Sequence, residues 1–373
     1  MHLTSFILLA SAVTGHVITE RADNPYREKA YKAINKLQSF YNTPSPTPWS
    51  PGWWNSAQCL TLIADLRKQD NSAFMKKLTD NYAGVFDTVE RDQAKDSNGA
   101  LDYTAWFDDR LWWTIALIKT YDVTGQQKYI QSARRTFQRV AADTSRAPCG
   151  LLYNAYERVG RHSSAITTLL YIEAAALLAK RTPTQQKNYM DKARKQWAEV
   201  KNLILVDGYI QGDVLSQQSD GTCTNNYAHL TYQEGVAMAA LVAMADVTGN
   251  QDLLNTAETI ASKVLSGEHG FVVNGVAKEY CDDDFSCGGD VAQFKGILQR
   301  GVYTLWKVRP NAANGTIPDY LKFNADSIWN NNRGSGGLLG LNWSGPFKRP
   351  DGVDLQLATH SSATMALVYA SLV

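Results

Sequence analysis

The sequence predicts an all-α fold, an (α/α)6 barrel in which six inner helices are ringed by six outer ones. Three observations predict it: a helical motif that occurs twice, a series of apolar helical segments at regular spacing, and a scarcity of alternating strand patterns. A long α-solenoid is the alternative fold, although solenoids usually have a more uniform repeat. Two short segments, VDGYI and HGFVVNG, are candidates for hairpin strands.

The repeated motif marks a junction between two helices. Residues 122–133 (DVTGQQKYIQSA) and 246–257 (DVTGNQDLLNTA) share Asp-Val-Thr-Gly-x-Gln, and they lie 246 − 122 = 124 positions apart. An apolar run precedes each copy, and the Thr-Gly pair is typical of a helix end because Gly readily adopts the left-handed cap conformation. An amphipathic segment follows each copy. The repeating unit is therefore helix, turn, helix.

Six apolar segments are candidates for the inner helices. They follow one another at roughly 55 to 70 residues, so the separation of the two motifs spans two repeats. Several are rich in Ala, Gly and Ser, which suits close packing inside a ring, whereas charge collects in segments such as QQKNYMDKARKQWAEV. The six candidate segments begin near Trp53, Asp108, Ser163, Tyr232, Ala292 and Ser361.

The N-terminus is predicted to be a secretory signal peptide over residues 1–21, followed by a single domain over residues 22–373. An apolar run over residues 3–13 precedes small residues, and it is shorter than the 20 or so apolar residues that span a bilayer. An ordinary N-terminal strand or helix is the alternative. No other run approaches membrane length, and the C-terminus does not match a GPI signal. We therefore expect a secreted protein without a membrane span.

Charge and composition narrow the function classes. The chain has 373 residues, 37 of them basic and 36 acidic, for a formal net charge of +1. This balance argues against binding nucleic acid through bulk charge and against a polybasic membrane-surface protein. A neutral substrate is the simplest expectation.

The five cysteines fit an exported protein. Cys281 and Cys287 enclose a short acidic loop and are predicted to form a disulfide, while one of Cys59, Cys149 and Cys223 is predicted to stay a free buried thiol. No close Cys/His cluster suggests zinc, and Asp282–Asp284 is interpreted as a solvated loop rather than a calcium site. Glycosylation sequons at Asn314 and Asn342 agree with secretion.

The candidate catalytic residues are Asp108 and Asp109, adjacent at a predicted helix start among Trp106, Phe107, Trp112 and Trp113. Two carboxyl groups in an aromatic cleft suit glycosidic bond cleavage, in which one protonates the leaving oxygen and the other attacks or activates water. The positive end of the helix would keep one carboxylate ionised, and apolar surroundings would raise the pKa of the other. Simple N-capping is the alternative role for the pair.

Four local motifs resemble glycoside hydrolase family 76, whose members include endo-α-1,6-mannanases and fungal cell-wall enzymes of the Dfg5 type. Together they run from about residue 50 to the C-terminus, in the order of the family. The motifs are Asp108-Asp109-x-x-Trp112-Trp113, the CGLLYN segment at 149–154, the TYQEG segment at 231–235, and the FKGI segment at 294–297 with Arg300.

The resemblance implies an (α/α)6 barrel and a retaining mechanism on α-1,6-linked mannose, endo-acting, with Asp108 as nucleophile and Asp109 as general acid/base. It implies no metal and no organic cofactor, and we expect a monomer. Leu152, Tyr153 and Gln233-Glu234 depart from the pattern of the family, which puts substrate length and linkage preference in doubt. A transglycosidase, another α/α-barrel carbohydrate enzyme and a non-catalytic mannan-binding barrel are the alternatives.

Further residues are candidates for contacts with sugar. Tryptophans would stack on sugar rings, and amide, hydroxyl, carboxylate and ammonium groups would bind sugar hydroxyls. Helix capping, core packing or a turn is the alternative role for each. The candidate substrate-binding residues are Trp53, Trp54, Trp106, Trp112, Asn154, Asp207, Tyr232, Gln233 and Lys295.

Overall fold

The structure is a computed structural model that describes residues 24–42, 45–81, 84–144, 149–156 and 162–373. The predicted signal peptide, residues 1–21, lies outside the described residues. Within the described ranges, no helix combines the length and apolarity needed to cross a bilayer.

Helices alternate along the chain between an outer and an inner position. The outer helices are α1 (Pro25–Leu37), the short pair α3 (Ala73–Lys76) and α4 (Val85–Asp92), α6 (Gln127–Asp143), α8 (Gln186–Leu203), α10 (Gln251–Leu265) and α12 (Ile317–Asn331). The inner helices are α2 (Trp53–Gln69), α5 (Phe107–Thr124), α7 (Ala165–Arg181), α9 (Thr231–Thr248), α11 (Val291–Trp306) and α13 (Val353–Ala370).

The inner helices form a closed ring. Each packs against the next in the order α2, α5, α7, α9, α11, α13, and α13 packs against α2. This closure confirms the predicted (α/α)6 barrel and excludes a solenoid, whose ends do not meet. Because each inner helix is followed by an outer segment that runs back, all six point the same way. We call the end where they begin the mouth, and the end where they finish the floor.

The sequence repeat is reproduced in three dimensions. Helices α5 and α9 each have 18 residues, and their first residues lie 231 − 107 = 124 positions apart. Both end as predicted at a left-handed glycine, Gly125 (φ 67°) and Gly249 (φ 70°). The repeat makes Asp108 and Asp109 of α5 equivalent to Tyr232 and Gln233 of α9.

One predicted boundary is wrong. Helix α13 starts at Val353, eight residues before the predicted start near Ser361 (361 − 353 = 8). Its first turn, residues 353–356, is exposed or half-buried, and continuous burial begins only at Leu357. The apolar pattern of the sequence therefore marked the buried part of the helix and missed its solvated beginning.

Three inner helices touch backbone to backbone. A Cβ atom placed on Gly301 of α11 would lie 2.1 Å from the carbonyl oxygen of Gly235 in α9, and one on Gly235 would lie 2.5 Å from the carbonyl oxygen of Ile297. A Cβ atom on Gly296 would lie 2.6 Å from the carbonyl oxygen of Ser362 in α13. No side chain fits at these positions, since real Cβ atoms do not approach so closely.

Short strands lie in the connections between helices. The strands are β1 (Ser163–Ser164), β2 (Leu205–Val206), β3 (Tyr209–Ile210), β4 (Val214–Gln217), β5 (Cys223–Asn225), β6 (Val272–Val273) and β7 (Val276–Ala277). The antiparallel pairs β2–β3 and β6–β7 confirm the two predicted hairpins. The antiparallel sheet β1–β4–β5 was not predicted, because its strands have only two to four residues.

Two disulfides fasten the loops at the mouth. Cys281–Cys287 is formed as predicted, Cys149 pairs with Cys223, and Cys59 is a free buried thiol. The Cys149–Cys223 bond joins the loop before α7 to strand β5.

The floor encloses a cavity of about 260 Å³ in which four carboxylates each meet a basic side chain. One pair, Glu173 and Arg300, is wholly buried, with 3% and 1% of the side chains exposed. The other pairs are Asp65 with Lys119, Asp122 with Arg181, and Asp246 with Lys180.

Candidate active site

A cavity of about 980 Å³ opens at the mouth of the barrel. It is lined by the first residues of several inner helices and by the loops that lead into them. Four acidic residues line it: Asp108, Asp213, Glu279 and Asp290. The cavity thus combines acidic groups with the N-terminal ends of helices, where partial positive charge favours anions.

The predicted catalytic pair sits in the first turn of α5. Phe107 begins the helix, and its N–H donates to the carbonyl of Asn154 (2.7 Å), which fixes the helix start against the loop before β1. Asp108 lines the cavity, and Asp109 lies beside it, also partly buried. Oδ1 of Asp108 is buried and has no hydrogen-bond partner among the described residues. This oxygen is available to a ligand, since the protein does not satisfy it.

Both carboxyl groups hold protons more tightly than an ordinary aspartate. Burial raises the pKa of Asp108 to about 7, with a contribution from the charges of Asp290 and Asp213, against the backbone N–H groups at the helix start. Burial, then the charges of Asp108 and Asp290, raise the pKa of Asp109 well above its usual range. The pair therefore keeps a proton into the neutral range, as a general acid requires.

Arg110, the basic residue that follows the pair, is held by the loop over residues 101–104. The guanidinium of Arg110 donates to the carbonyls of Leu101 (3.0 Å) and Thr104 (3.0 Å) and forms an ion pair with Asp102. Arg110 is 1% exposed, so it shapes the 101–104 loop from within. That loop brings Thr104 to Asp109, whose pKa the Thr104 hydroxyl lowers in part.

Asp213, like Asp290, is an acidic residue of the cavity that was not predicted from the sequence. It immediately precedes β4 and accepts hydrogen bonds from Nε2 of Gln233 (2.8 Å) and the hydroxyl of Tyr232 (3.4 Å). Burial raises its pKa as well. Gln233 is wholly buried and absent from the cavity lining, so its amide orients Asp213 instead of facing a ligand. Tyr232 does line the cavity, stacked on Phe294 with ring centroids 3.7 Å apart.

Asp207 does not face the cavity, contrary to expectation. It occupies the tight turn between β2 and β3 with a left-handed backbone (φ 52°), and it is exposed. The adjacent Gly208 packs toward Thr259 and Lys263 of outer helix α10. Asp207 thus has the turn role that was its alternative, and Asp213, six residues later, takes the place at the cavity.

Lys295 is also placed away from the cavity. Its ammonium group is buried, where it pairs with Asp282, donates to the carbonyl of Leu341 (2.8 Å) and lies 5.1 Å from the ring of Trp343. It anchors the acidic disulfide loop. Among the described residues, no three His, Cys, Asp or Glu side chains are grouped so that they could hold a metal ion.

The four predicted stacking tryptophans differ in exposure. Trp106 is 42% exposed and lines the cavity. Trp54 is partly buried, stacks on Trp112 (5.9 Å) and donates from its indole nitrogen to Asp290 (2.6 Å). Trp53 and Trp112 are at most 5% exposed and pack in the core. Trp106 is therefore the one of the four that offers an open ring face to the cavity.

Asn154 lies in the cavity wall as predicted, with its side-chain oxygen accepting from the backbone N–H of His162 (2.9 Å). His162 lines the cavity too, and burial lowers its pKa. Both residues belong to the segment that leads into α7, on the side of the cavity next to the acid pair.

Comparison with models of known protein families shows to which family the chain belongs. The model of glycosyl hydrolase family 76 matches residues 23–372. The chain belongs to glycosyl hydrolase family 76. It is therefore a glycoside hydrolase, and the family resemblance inferred from the four sequence motifs is confirmed.

Solved structures with the same fold include several family 76 proteins. The inactive variant of the α-1,6-mannanase GH76A of Salegentibacter sp. HEL1_6 with α-1,6-mannotriose is 23% identical, covering 93% of this chain and 99% of that chain at a TM-score of 0.75. Dfg5 from Chaetomium thermophilum in complex with glucosamine is 16% identical, covering 94% and 92% at a TM-score of 0.74. None of the curated proteins matches this chain.

Proposed function

We propose that this family 76 protein is a secreted retaining hydrolase that cleaves α-1,6-mannosidic linkages within mannan chains. The observation that carries the proposal is the adjacent Asp108–Asp109 pair at a helix start, beside an acidic and aromatic cavity, with both pKa values raised. The fold likeness to α-1,6-mannanases supports the substrate class.

The Salegentibacter structures also support the choice of residues. The inactive variants carry substitutions at two consecutive aspartates and are complexes with α-1,6-mannotriose and α-1,6-mannotetrose. This chain has two runs of adjacent aspartates, at 108–109 and 282–284. Asp282 is buried against Lys295, and Asp283 and Asp284 are exposed outside the cavity. The run at 108–109 is therefore the one with access to a sugar chain.

In the proposed reaction, the Asp108 carboxylate attacks the anomeric carbon while Asp109 donates its proton to the departing glycosidic oxygen. The C–O bond to the leaving chain breaks and a covalent mannosyl ester on Asp108 forms. Asp109, now ionised, removes a proton from water, which attacks the anomeric carbon and releases Asp108. The raised pKa of Asp109 supplies the proton in the first half, and the helix N-terminus favours the charge on Asp108.

Secretion is part of the proposal. It is supported by the predicted signal peptide and by the Cys149–Cys223 and Cys281–Cys287 disulfides, since such bonds persist in oxidising compartments. Expression in a eukaryotic secretion host should release protein whose N-terminal residue lies near position 22. Intracellular retention of a chain with an intact N-terminus would contradict this.

The function is tested with linear α-1,6-manno-oligosaccharides, following products by mass and anomeric NMR. We expect shorter products that appear first as α anomers. Products longer than the substrate would indicate transglycosylation, and binding without turnover would indicate a mannan-binding barrel. Initial β anomers would overturn the retaining mechanism.

The two roles are separated by azide rescue. Asp109→Asn should lower the rate by about 10²–10⁴-fold, and azide should restore turnover with an α-mannosyl azide product. Asp108→Ala should be inactive, and azide should yield the β-mannosyl azide because it replaces the nucleophile. The matched control is Asp284→Asn, an exposed aspartate of the other acidic run, which should retain the wild-type rate.

A further inference from the structure

One wall of the mouth cavity is built from two histidines and a phenylalanine, and we call it the histidine face. It consists of His229, just before α9, and His269 and Phe271, between α10 and β6. The imidazole rings of His229 and His269 stack with centroids 4.8 Å apart and planes 16° apart. The ring of Phe271 lies 6.3 Å and 6.5 Å from them, and all three residues line the cavity.

The position of His269 is enforced by its surroundings. It has a left-handed backbone (φ 56°) between Gly267 (φ 83°) and Gly270 (φ 74°). The ring of Tyr209 meets the His269 ring edge-on, with centroids 4.1 Å apart. Glu268 fastens the turn by accepting from the Tyr209 hydroxyl (3.1 Å) and from neighbouring side chains. A non-glycine residue persists in this conformation where packing imposes it, often at ligand clamps.

The histidine face lies away from the reacting groups. In the inner ring, α9 is two positions from α5, which carries the acid pair. The charges that raise the pKa of Asp108 are those of Asp290 and Asp213. Burial lowers the pKa of His229, and the charge that adds to this effect is that of His269. The imidazoles are therefore placed to touch a part of the ligand that does not react.

The shape of the wall favours a sugar ring over an ion. Two imidazoles stacked face to face do not aim their nitrogens at one point, which a shared metal ion would need. The aromatic side chains that line this part of the cavity instead suit packing against the C–H groups of a pyranose. At about 980 Å³ the cavity is near the upper end of ligand pockets, which run to roughly 1,000 Å³, so it has room beyond one sugar ring.

We propose that the histidine face is a distal mannose-binding subsite, which holds a sugar unit remote from the cleaved bond in longer chains. The inference rests on the proposed function of the Asp108–Asp109 pair and adds a preference for substrate length. A contact far from the reacting centre that is equal in ground state and transition state changes KM and leaves kcat unaltered.

The test compares kcat and KM for α-1,6-mannotriose and for longer α-1,6-manno-oligosaccharides. We expect His269→Ala to raise KM for the longer chains by about tenfold, the equivalent of one lost contact of about 1.4 kcal/mol. KM for the shortest cleaved chain and kcat for all chains should be unchanged. His269→Phe keeps an aromatic ring and should retain most of the preference for longer chains.

Tyr227→Ala is the matched control. Tyr227 is an aromatic residue two positions before His229, 66% exposed and outside the cavity lining, so its loss should leave every KM unchanged. The subsite is overturned if His269→Ala keeps the wild-type dependence on chain length, or if it lowers kcat equally for all lengths. If wild-type protein cleaves no α-1,6-manno-oligosaccharide of any length, the proposed function itself fails.

Discussion

The mouth and the floor of the barrel each have a cavity lined by charged side chains, but the two cavities differ in whether the carboxyl groups are ion-paired. At the floor each of four carboxylates meets a basic side chain. At the mouth, Asp108, Asp109 and Asp213 have no ion-pair partner among the described residues, and their pKa values are raised.

The direction of the inner helices favours the carboxyl groups of the mouth and the basic partners at the floor. All six begin at the mouth, where helix N-termini favour carboxylates, and finish at the floor, where helix C-termini favour cations. Direction does not explain the pairing. Paired charges at the floor hold helices together, whereas unpaired carboxyl groups at the mouth cost stability and keep protons available for chemistry. Four substitutions test this contrast, from the largest expected effect to the smallest.

Arg300→Met should lower the free energy of unfolding by about 3–5 kcal/mol, because it leaves the wholly buried Glu173 without its partner. Urea denaturation measures the change. The double variant Glu173→Leu/Arg300→Met should recover most of the loss, since neither charge is then buried alone. A single-variant loss below about 1 kcal/mol would mean that the floor pair does not hold the ring.

Asp108→Asn should raise stability at pH 7 by about 2 kcal/mol. The folded pKa of about 7 lies above the ordinary 3.8, so the folded protein binds the extra proton between these values and wild-type stability falls as pH rises through them. The gain should therefore shrink toward zero near pH 4. Thermal unfolding of both proteins from pH 4 to pH 8 measures it, and a gain independent of pH would contradict the assignment.

Glu234→Gln should give a smaller gain of about 1 kcal/mol at neutral pH. Glu234 is wholly buried beneath the mouth, where one carboxyl oxygen accepts from the N–H of Ile210 (3.0 Å) and the other has no partner among the described residues. Burial raises its pKa well above 4.5, so the chain must take up a proton when it folds at neutral pH, and this lowers its stability. The amide removes that cost but adds an unpaired donor. Near pH 4 the variant should be no more stable than wild type.

Lys180→Ala should change the free energy of unfolding by less than about 0.5–1 kcal/mol. Lys180 and Asp246 are paired at the edge of the floor, but their side chains are 52% and 46% exposed, so solvent screens the interaction. Chemical denaturation beside Arg300→Met measures the difference between a screened and a buried pair. Equal losses in the two variants would show that burial does not determine how much an ion pair at the floor contributes to the free energy of unfolding.

The helical fold could be predicted because its signals are local. The Thr-Gly ends of α5 and α9 and the spacing of apolar segments depend on neighbouring residues alone, and both were confirmed. The β1–β4–β5 sheet could not be predicted, since strands of two to four residues carry no alternating pattern. The order of the strands in this sheet depends on which loops the closed ring of helices brings together.

The site could be predicted only in part, for the same reason. The helix start that holds Asp108 and Asp109 is visible in the sequence. Asp207 and Asp213 stand in one segment with similar neighbours, and only the placement of β4 brings Asp213 to the cavity. Lys295 lies in an apolar helix, and its partner Asp282 becomes visible only once the disulfide loop folds back over it.

The glycines where α9, α11 and α13 touch fix how closely these three inner helices pack. A ring whose backbones are already in contact at Gly235, Gly296 and Gly301 cannot narrow there, and a larger residue would force it apart. Any change in the width of the cavity must therefore arise elsewhere. The loops at the mouth are free to lengthen, shorten or change sequence while this half of the ring stays constant, so substrate range can diverge without remodelling the barrel.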